Sequence, residues 1–237
     1  QTSFGPFTEG PFLAIDLETT GGATGRVPGF TFHRLGLKVV PPALEALAAT
    51  AQAGPPITLA NLPALHDRWQ KSLMLLGHEG VTQMALSMFD MAVHDALAQT
   101  AGMPLWQLLG GSNEPLPTSN SCGLGILDPA AAAREARELA AEHGSFAHIK
   151  MRLGRGSATE EVAAIRAVKS AVGDSIMLSS DFNQALPATG AYATCQAIDD
   201  LCLAWIEEPV SYDDYDAQAA LTSKLRTPVQ IGETWWH

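Results

Sequence analysis

The feature that most constrains this chain is the rhythm of its second half. After Gly110-Gly111, short apolar runs alternate with helix-like stretches at roughly one βα unit (~30 residues) apiece. Strands are predicted at Pro117–Cys122, Ala147–Arg152, Ile176–Asp181, Ala204–Glu207 and Pro228–Gly232. Helices are predicted near Ala130–Glu142, Thr159–Ala171, Gly190–Leu201 and Tyr215–Lys224. Such alternation reads as parallel strands joined by helical crossovers, the repeat of a (β/α) barrel. A complete barrel needs about eight units, so the five strands and four helices read here form its first part. A doubly wound sheet is the competing architecture, but no glycine-rich phosphate fingerprint follows the first strand.

The first half reads differently. Phe12–Glu18 is strand-like and ends at the turn signal Gly21-Gly22, and Phe30–Gly36 reads as an aromatic-rich loop. Helices are expected near Ala43–Ala51, Leu62–Leu76 and Val81–Ala98. One strand followed by a block of helices predicts an α+β domain over residues 1–112, ahead of the barrel domain over 113–237.

Charge and composition narrow the function. The chain has 237 residues and a formal net charge of −11, which disfavours a nucleic-acid partner or an acidic membrane surface. At 46% hydrophobic and 16% charged residues it has the makeup of a packed globular enzyme. No uninterrupted apolar run reaches transmembrane length. Three cysteines without CxxC spacing argue against a disulfide framework, so a cytoplasmic setting is expected. The opening lacks an initiating Met and the expected barrel is short by about three units, which suggests a chain truncated at both ends.

The chemistry is expected at the C-terminal ends of the barrel strands. Asp181, Glu207 and Glu233 each follow an apolar strand, and the interval between successive members is identical. Equal spacing of one βα unit would bring three carboxylates from adjacent strands to one mouth. Hard oxygen ligands with positions left for water and substrate suit Mg²⁺. Acids at strand ends also cap the helices that follow, which is the ordinary alternative. Asn183 adds an amide beside the first carboxylate. Glu208 doubles the second, either to orient a ligand or as a helix N-terminal charge.

Five stretches together resemble the enolase superfamily, in its mandelate racemase and muconate-lactonizing branch. They are Asp181-Phe182-Asn183-Gln184, Trp205-Ile206-Glu207-Glu208-Pro209, Pro228-Val229-Gln230-Ile231-Gly232-Glu233, Asp90–Leu97 and Pro104–Gly110. The resemblance spans about Gly10 to Trp235. It implies a capping domain over a modified barrel, with Asp181, Glu207 and Glu233 as magnesium ligands and a small carboxylic-acid substrate. Homo-oligomers are implied as well. Loops at Phe4-Gly5-Pro6-Phe7 and Phe30-Thr31-Phe32-His33 would help set specificity.

The family's KxK site falls on Lys150-Met151-Arg152. The resemblance implies that Lys150 holds the substrate carboxylate and that the second position is the base. Here that position is Arg152, and neutralising a guanidinium at pH 7 costs about 7 kcal/mol against about 4–5 for lysine. Arg152 is therefore expected to act as an electrostatic clamp on substrate or enolate, with pairing to a Glu or Asp inside the barrel as the alternative. That favours a one-base reaction such as sugar-acid or hydroxy-acid dehydration over racemisation, although a racemase, a cycloisomerase or an N-acyl amino-acid racemase of the same superfamily remains open. So does a non-catalytic remnant. The His–Asp pair that serves as the other base in this family would lie on later strands. Trp205, Trp235 and Trp236 read as packing, Cys122 as a small buried thiol, His237 as a mobile terminus, and His66-Asp67 and His94-Asp95 as structural.

Overall fold

The computed structural model describes residues 9–142, 146–154 and 156–235. They divide into two compact units, 9–115 and 116–235.

In the first unit, β1 (Phe12–Glu18) pairs antiparallel with β2 (Thr24–Phe30), in register from Phe12↔Phe30 to Glu18↔Thr24. Helices α1 (Gly36–Gln52), α2 (Leu62–Leu73), α3 (Val81–Ala101) and the short α4 (Leu105–Leu108) follow. A single 3₁₀ turn, Met74–Leu76, closes what reads in the sequence as the end of the second helix. Strand β2 departs from expectation, because Gly25, Pro28 and Gly29 carry low strand propensity. Those glycines serve packing instead. A Cβ at Gly25 would overlap the Ala92 carbonyl of α3, and one at Gly29 would press on the Met88 side chain at 2.6 Å. Helix α1 likewise starts earlier than expected and runs through Pro41 and Pro42, residues that disfavour a helix interior. Val40 and Leu47 of α1, Trp69 of α2 and Leu86, Phe89 and Val93 of α3 form the core, with Trp69 edge-on to Phe89 at 5.0 Å between ring centroids.

The second unit is a parallel sheet with flanking helices. Strands β3 (His148–Arg152), β4 (Met177–Asp181), β5 (Ile206–Glu207) and β6 (Val229–Gln230) lie in sequence order, all parallel. The crossovers are α6 (Ala158–Val172), α7 (Ala188–Ile198) and α8 (Tyr215–Lys224), preceded by α5 (Pro129–Ala141). The strand expected over Pro117–Cys122 is reduced to one bridge, Asn120↔Ile149. The Asn120 side chain is turned to other work there, bonding the Leu139 carbonyl, Glu142 and the Cys122 amide.

Local chemistry sets the helix starts. Asp128 accepts from the Ala130 and Ala131 amides ahead of an Ala-rich run, with Pro129 as first helical residue. Ser157 and Glu160 form a reciprocal capping box on α6. Ile149, Leu178, Phe182 and Ile206 of the sheet region pack with Ile165, Val168, Ile198 and Leu221 of the helices. The opposite strand face therefore carries the polar residues, as alternation along a strand requires.

Candidate active site

That polar face is built in levels. Register pairs Arg152 with Asp181, Asp181 with Glu207, and Glu207 with Gln230. Paired residues on parallel strands share a face, so Arg152, Asp181 and Glu207 stand side by side at the strand ends. Lys150 pairs with Ser179 one level below.

Lys150 ties the level together. Its Nζ lies 2.8 Å from Glu207 Oε1 and 3.1 Å from Asp181 Oδ2. Burial pulls the ammonium pKa down, but the bond to Glu207 and the charges of Asp181 and Glu207 outweigh it, so the group titrates above the ordinary lysine range. Asp181 is 1% exposed and also accepts from the Asn183 amide (2.8 Å) and its side-chain Nδ2 (3.1 Å). Asn183 thus orients the first carboxylate through a left-handed backbone at φ 44°.

Trp205 corrects the reading of that residue as packing alone. Its Nε1 donates to Glu207 Oε2 at 3.1 Å, so both oxygens of Glu207 are held. The indole also packs edge-on against His148, a residue the sequence analysis passed over, with centroids 4.5 Å apart. His148 Nε2 lies 3.0 Å from Ser179 Oγ, and burial, then the Lys150 charge, lowers its pKa. The signal was available in the alternation His148, Lys150, Arg152 along β3, which puts all three on the polar face.

Glu233 stands apart from this level. Strand β6 ends at Gln230, so Glu233 lies in the loop beyond it. The buried Glu208 accepts from the Gly232 amide (3.0 Å) and the Glu233 amide (3.1 Å), again from a left-handed backbone, φ 42°. Burial of the Glu233 carboxyl pushes its pKa up. The charges of Asp181, Glu208 and Glu207 add to that rise, with Lys150 opposing.

Arg152 donates from one guanidinium nitrogen to the Ser121 carbonyl (3.3 Å) and the Gly123 carbonyl (3.2 Å). It is thereby anchored to the loop beside β3. Cys122, in that loop, is exposed, not the buried thiol expected. Phe4–Phe7, Trp236 and His237 lie outside the described residues.

The structure therefore brings Lys150, Asp181 and Glu207 into one ion-paired cluster and sets Arg152 beside it. Glu233, in the loop beyond β6, lies near enough for the charges of Asp181, Glu207 and Lys150 to act on its carboxyl. Among the described residues no three His, Cys, Asp or Glu side chains form a ready cation cage. The donor chemistry nonetheless fits a hard divalent cation. Asp181, Glu207, Glu208 and Glu233 supply only oxygen, and the Lys150 charge opposes the carboxylates around Glu233. Burial first, and then the charges of Asp181, Glu208 and Glu207, raise the Glu233 pKa.

Comparison with known proteins agrees with this architecture. Residues 1–110 match the model of the mandelate racemase / muconate lactonizing enzyme N-terminal domain, and residues 131–237 match the enolase C-terminal domain-like model. An enolase from the alpha-proteobacterium bal199, solved with bound magnesium, is 40% identical with a TM-score of 0.88, over 95% of this chain and 61% of that one. An enolase from Bradyrhizobium, complexed with magnesium and mandelic acid, is 35% identical with a TM-score of 0.89, over 100% of this chain and 63% of that one. The L-talarate/galactarate dehydratase of Salmonella typhimurium is 30% identical over 67% of this chain and 39% of its own length. Other relatives include racemases, epimerases and a cycloisomerase. The chain belongs to the enolase superfamily, in its mandelate racemase and muconate lactonizing branch. It spans less than two thirds of the length of these relatives.

Proposed function

We propose that the chain carries the metal-binding and carboxylate-anchoring part of a Mg²⁺-dependent enzyme that removes the proton α to a substrate carboxylate. The observation that carries this reading is the in-register pair Asp181↔Glu207 with Lys150 bridging both side chains. Asp181, Glu207 and Glu233 are the proposed ligands. When bound, Mg²⁺ supplies Lewis-acid stabilisation of the charge that develops on the substrate carboxylate. Lys150, already desolvated and cationic, pairs with that carboxylate and holds the α-carbon in place. Arg152 adds a fixed positive charge at the same level. Asn183, Trp205 and Glu208 orient the carboxylates by the hydrogen bonds described above.

The substrate class proposed is hydroxy acids and sugar acids, with dehydration or mandelate racemase-like racemisation as the outcome. Cycloisomerisation or N-acyl amino-acid racemisation is the alternative within the same superfamily. The Mg²⁺-bound relatives with mandelic acid or L-glucarate support a small carboxylic acid as substrate. A cytoplasmic homo-oligomer is proposed as the setting. Among the described residues no helix is long and apolar enough to cross a membrane. A second reading, binding without turnover, is favoured by Arg152, which is anchored to two carbonyls and costly to neutralise.

The test is solvent deuterium exchange. With imidazole added as the proton-accepting base, the chain with Mg²⁺ in D₂O is expected to wash deuterium into the α-position of a hydroxy acid, sugar acid or N-acyl amino acid, followed by NMR, and Lys150→Ala should abolish it. Absence of exchange across all three classes, with Mg²⁺ bound, would leave the second reading standing.

A further inference from the structure

Two of the three proposed ligands are placed by the sheet itself, since Asp181 and Glu207 sit in the parallel ladder. Glu233 has no such support, because the ladder ends at Gln230. Whatever fixes the third carboxylate must act through the loop that carries it.

Gln184 is built to do this. It follows Asp181 by one short turn with its backbone at φ 62°, a conformation sparsely populated by residues with a side chain. Its amide N–H donates to the Glu208 carbonyl at 2.7 Å, tying the loop after β4 to the loop after β5. Its side-chain Oε1 accepts from the Tyr212 amide at 2.9 Å, further along that second loop. Its Nε2 donates to Thr234 Oγ1 at 2.9 Å, next to Glu233. The Thr234 hydroxyl in turn lies 3.5 Å from Glu208 Oε2, whose other oxygen accepts from the Glu233 amide. One half-buried amide side chain thus uses both its ends to brace the loops after β4, β5 and β6.

We propose that Gln184, through Thr234, is a positioning residue that sets where Glu233 stands relative to Asp181 and Glu207, and so sets divalent-cation affinity. This rests on the ligand assignment above. Removing an outer partner of a ligand characteristically costs 10–100-fold in metal affinity. The bracing is geometric and leaves the charge of the site unchanged, which separates it from an effect of surface charge.

The experiment is Mg²⁺ titration calorimetry on the full chain, on the single variants Asp181→Asn, Gln184→Leu, Thr234→Val and Thr234→Ser, and on the double variant Gln184→Leu/Thr234→Val. Gln184→Leu and Thr234→Val should each weaken binding by about tenfold. Thr234→Ser, which keeps the hydroxyl, should bind as the parent does. The double variant Gln184→Leu/Thr234→Val should weaken binding by less than the product of the two single effects, because both changes break the same Gln184–Thr234 bond. If Gln184→Leu fails to fold by circular dichroism, the Thr234 pair decides alone. Loss of binding in Asp181→Asn with parent-like binding in Gln184→Leu and Thr234→Val would overturn the inference and leave the ligand assignment intact. Equal weakening in Thr234→Val and Thr234→Ser would overturn it too. Undiminished binding in Asp181→Asn would remove the assignment on which it rests.

Discussion

The Nζ of Lys150 sits 2.8 Å from Oε1 of Glu207, and the same ammonium reaches Asp181. Two nearly buried carboxylates therefore share one cation. Removing it leaves both charges uncompensated, a loss of about 3–5 kcal/mol by analogy with broken buried pairs. Lys150→Met is expected to lower the melting temperature markedly in EDTA. Added Mg²⁺ should restore much of the loss, since a divalent ion meets the same oxygens. Calorimetric melts with and without Mg²⁺ check this, and a variant insensitive to Mg²⁺ would contradict it.

The three thiols should differ in reactivity. Cys195 is buried among α7 contacts, and burial, with the Asp199 charge added, pushes its pKa up to about 12. Cys122 and Cys202 are exposed. A chromogenic thiol reagent at pH 8 should titrate Cys122 and Cys202 rapidly in the native chain, and Cys195 only after denaturation. Rapid labelling of Cys195 in the native state would contradict the packing described.

Asp199 should make stability fall in acid. Burial alone would raise its pKa, but bonds from the Thr227 and Arg226 amides, the Thr227 side chain and the Arg226 charge hold it below the usual value. A carboxylate with a depressed folded pKa contributes stability above its unfolded pKa, about 3.9, and loses it as pH falls through the folded value. Urea denaturation from pH 6 to pH 3 should therefore show a falling midpoint that flattens in Asp199→Asn. That variant should itself cost about 1–3 kcal/mol at pH 7, because two backbone donors lose their charged acceptor.

Gly25→Ala should destabilise the first unit. The added methyl overlaps the Ala92 carbonyl, which is helix backbone and has no free rotamer to yield. Overpacking of this kind costs about 1–3 kcal/mol. Gly22→Ala, at a position open around its Cβ but with φ 87°, should also be destabilising, through backbone conformation alone. A smaller effect at Gly25 than at the exposed Gly22 would contradict the close approach of α3 to β2.

The sequence made the parallel βα order legible because each crossover buries one apolar stripe against an apolar strand, as Ile149, Leu178 and Ile206 do. The positions of Asp181 and Glu207 were legible for the same reason, since strand ends fix them. What stayed hidden depends on contacts far apart in the chain. Strand β2 reads as poor strand because Gly25 and Gly29 answer to α3, and α1 hides behind Pro41 and Pro42. The expected strand at Pro117–Cys122 keeps only the bridge at Asn120, whose side chain bonds Leu139 and Glu142. Trp205 as a donor to Glu207 needs a rotamer that no pattern of residue types reveals.

Mg²⁺ titration calorimetry on the parent chain and on Asp181→Asn, Glu207→Gln and Glu233→Gln puts the proposed ligand set to the decisive trial. The parent should bind one Mg²⁺, and each substitution should weaken that binding by at least about tenfold, the lower bound for loss of even an outer partner of a metal. A parent that binds no Mg²⁺, or variants at Asp181 and Glu207 that bind it as the parent does, would contradict the assignment.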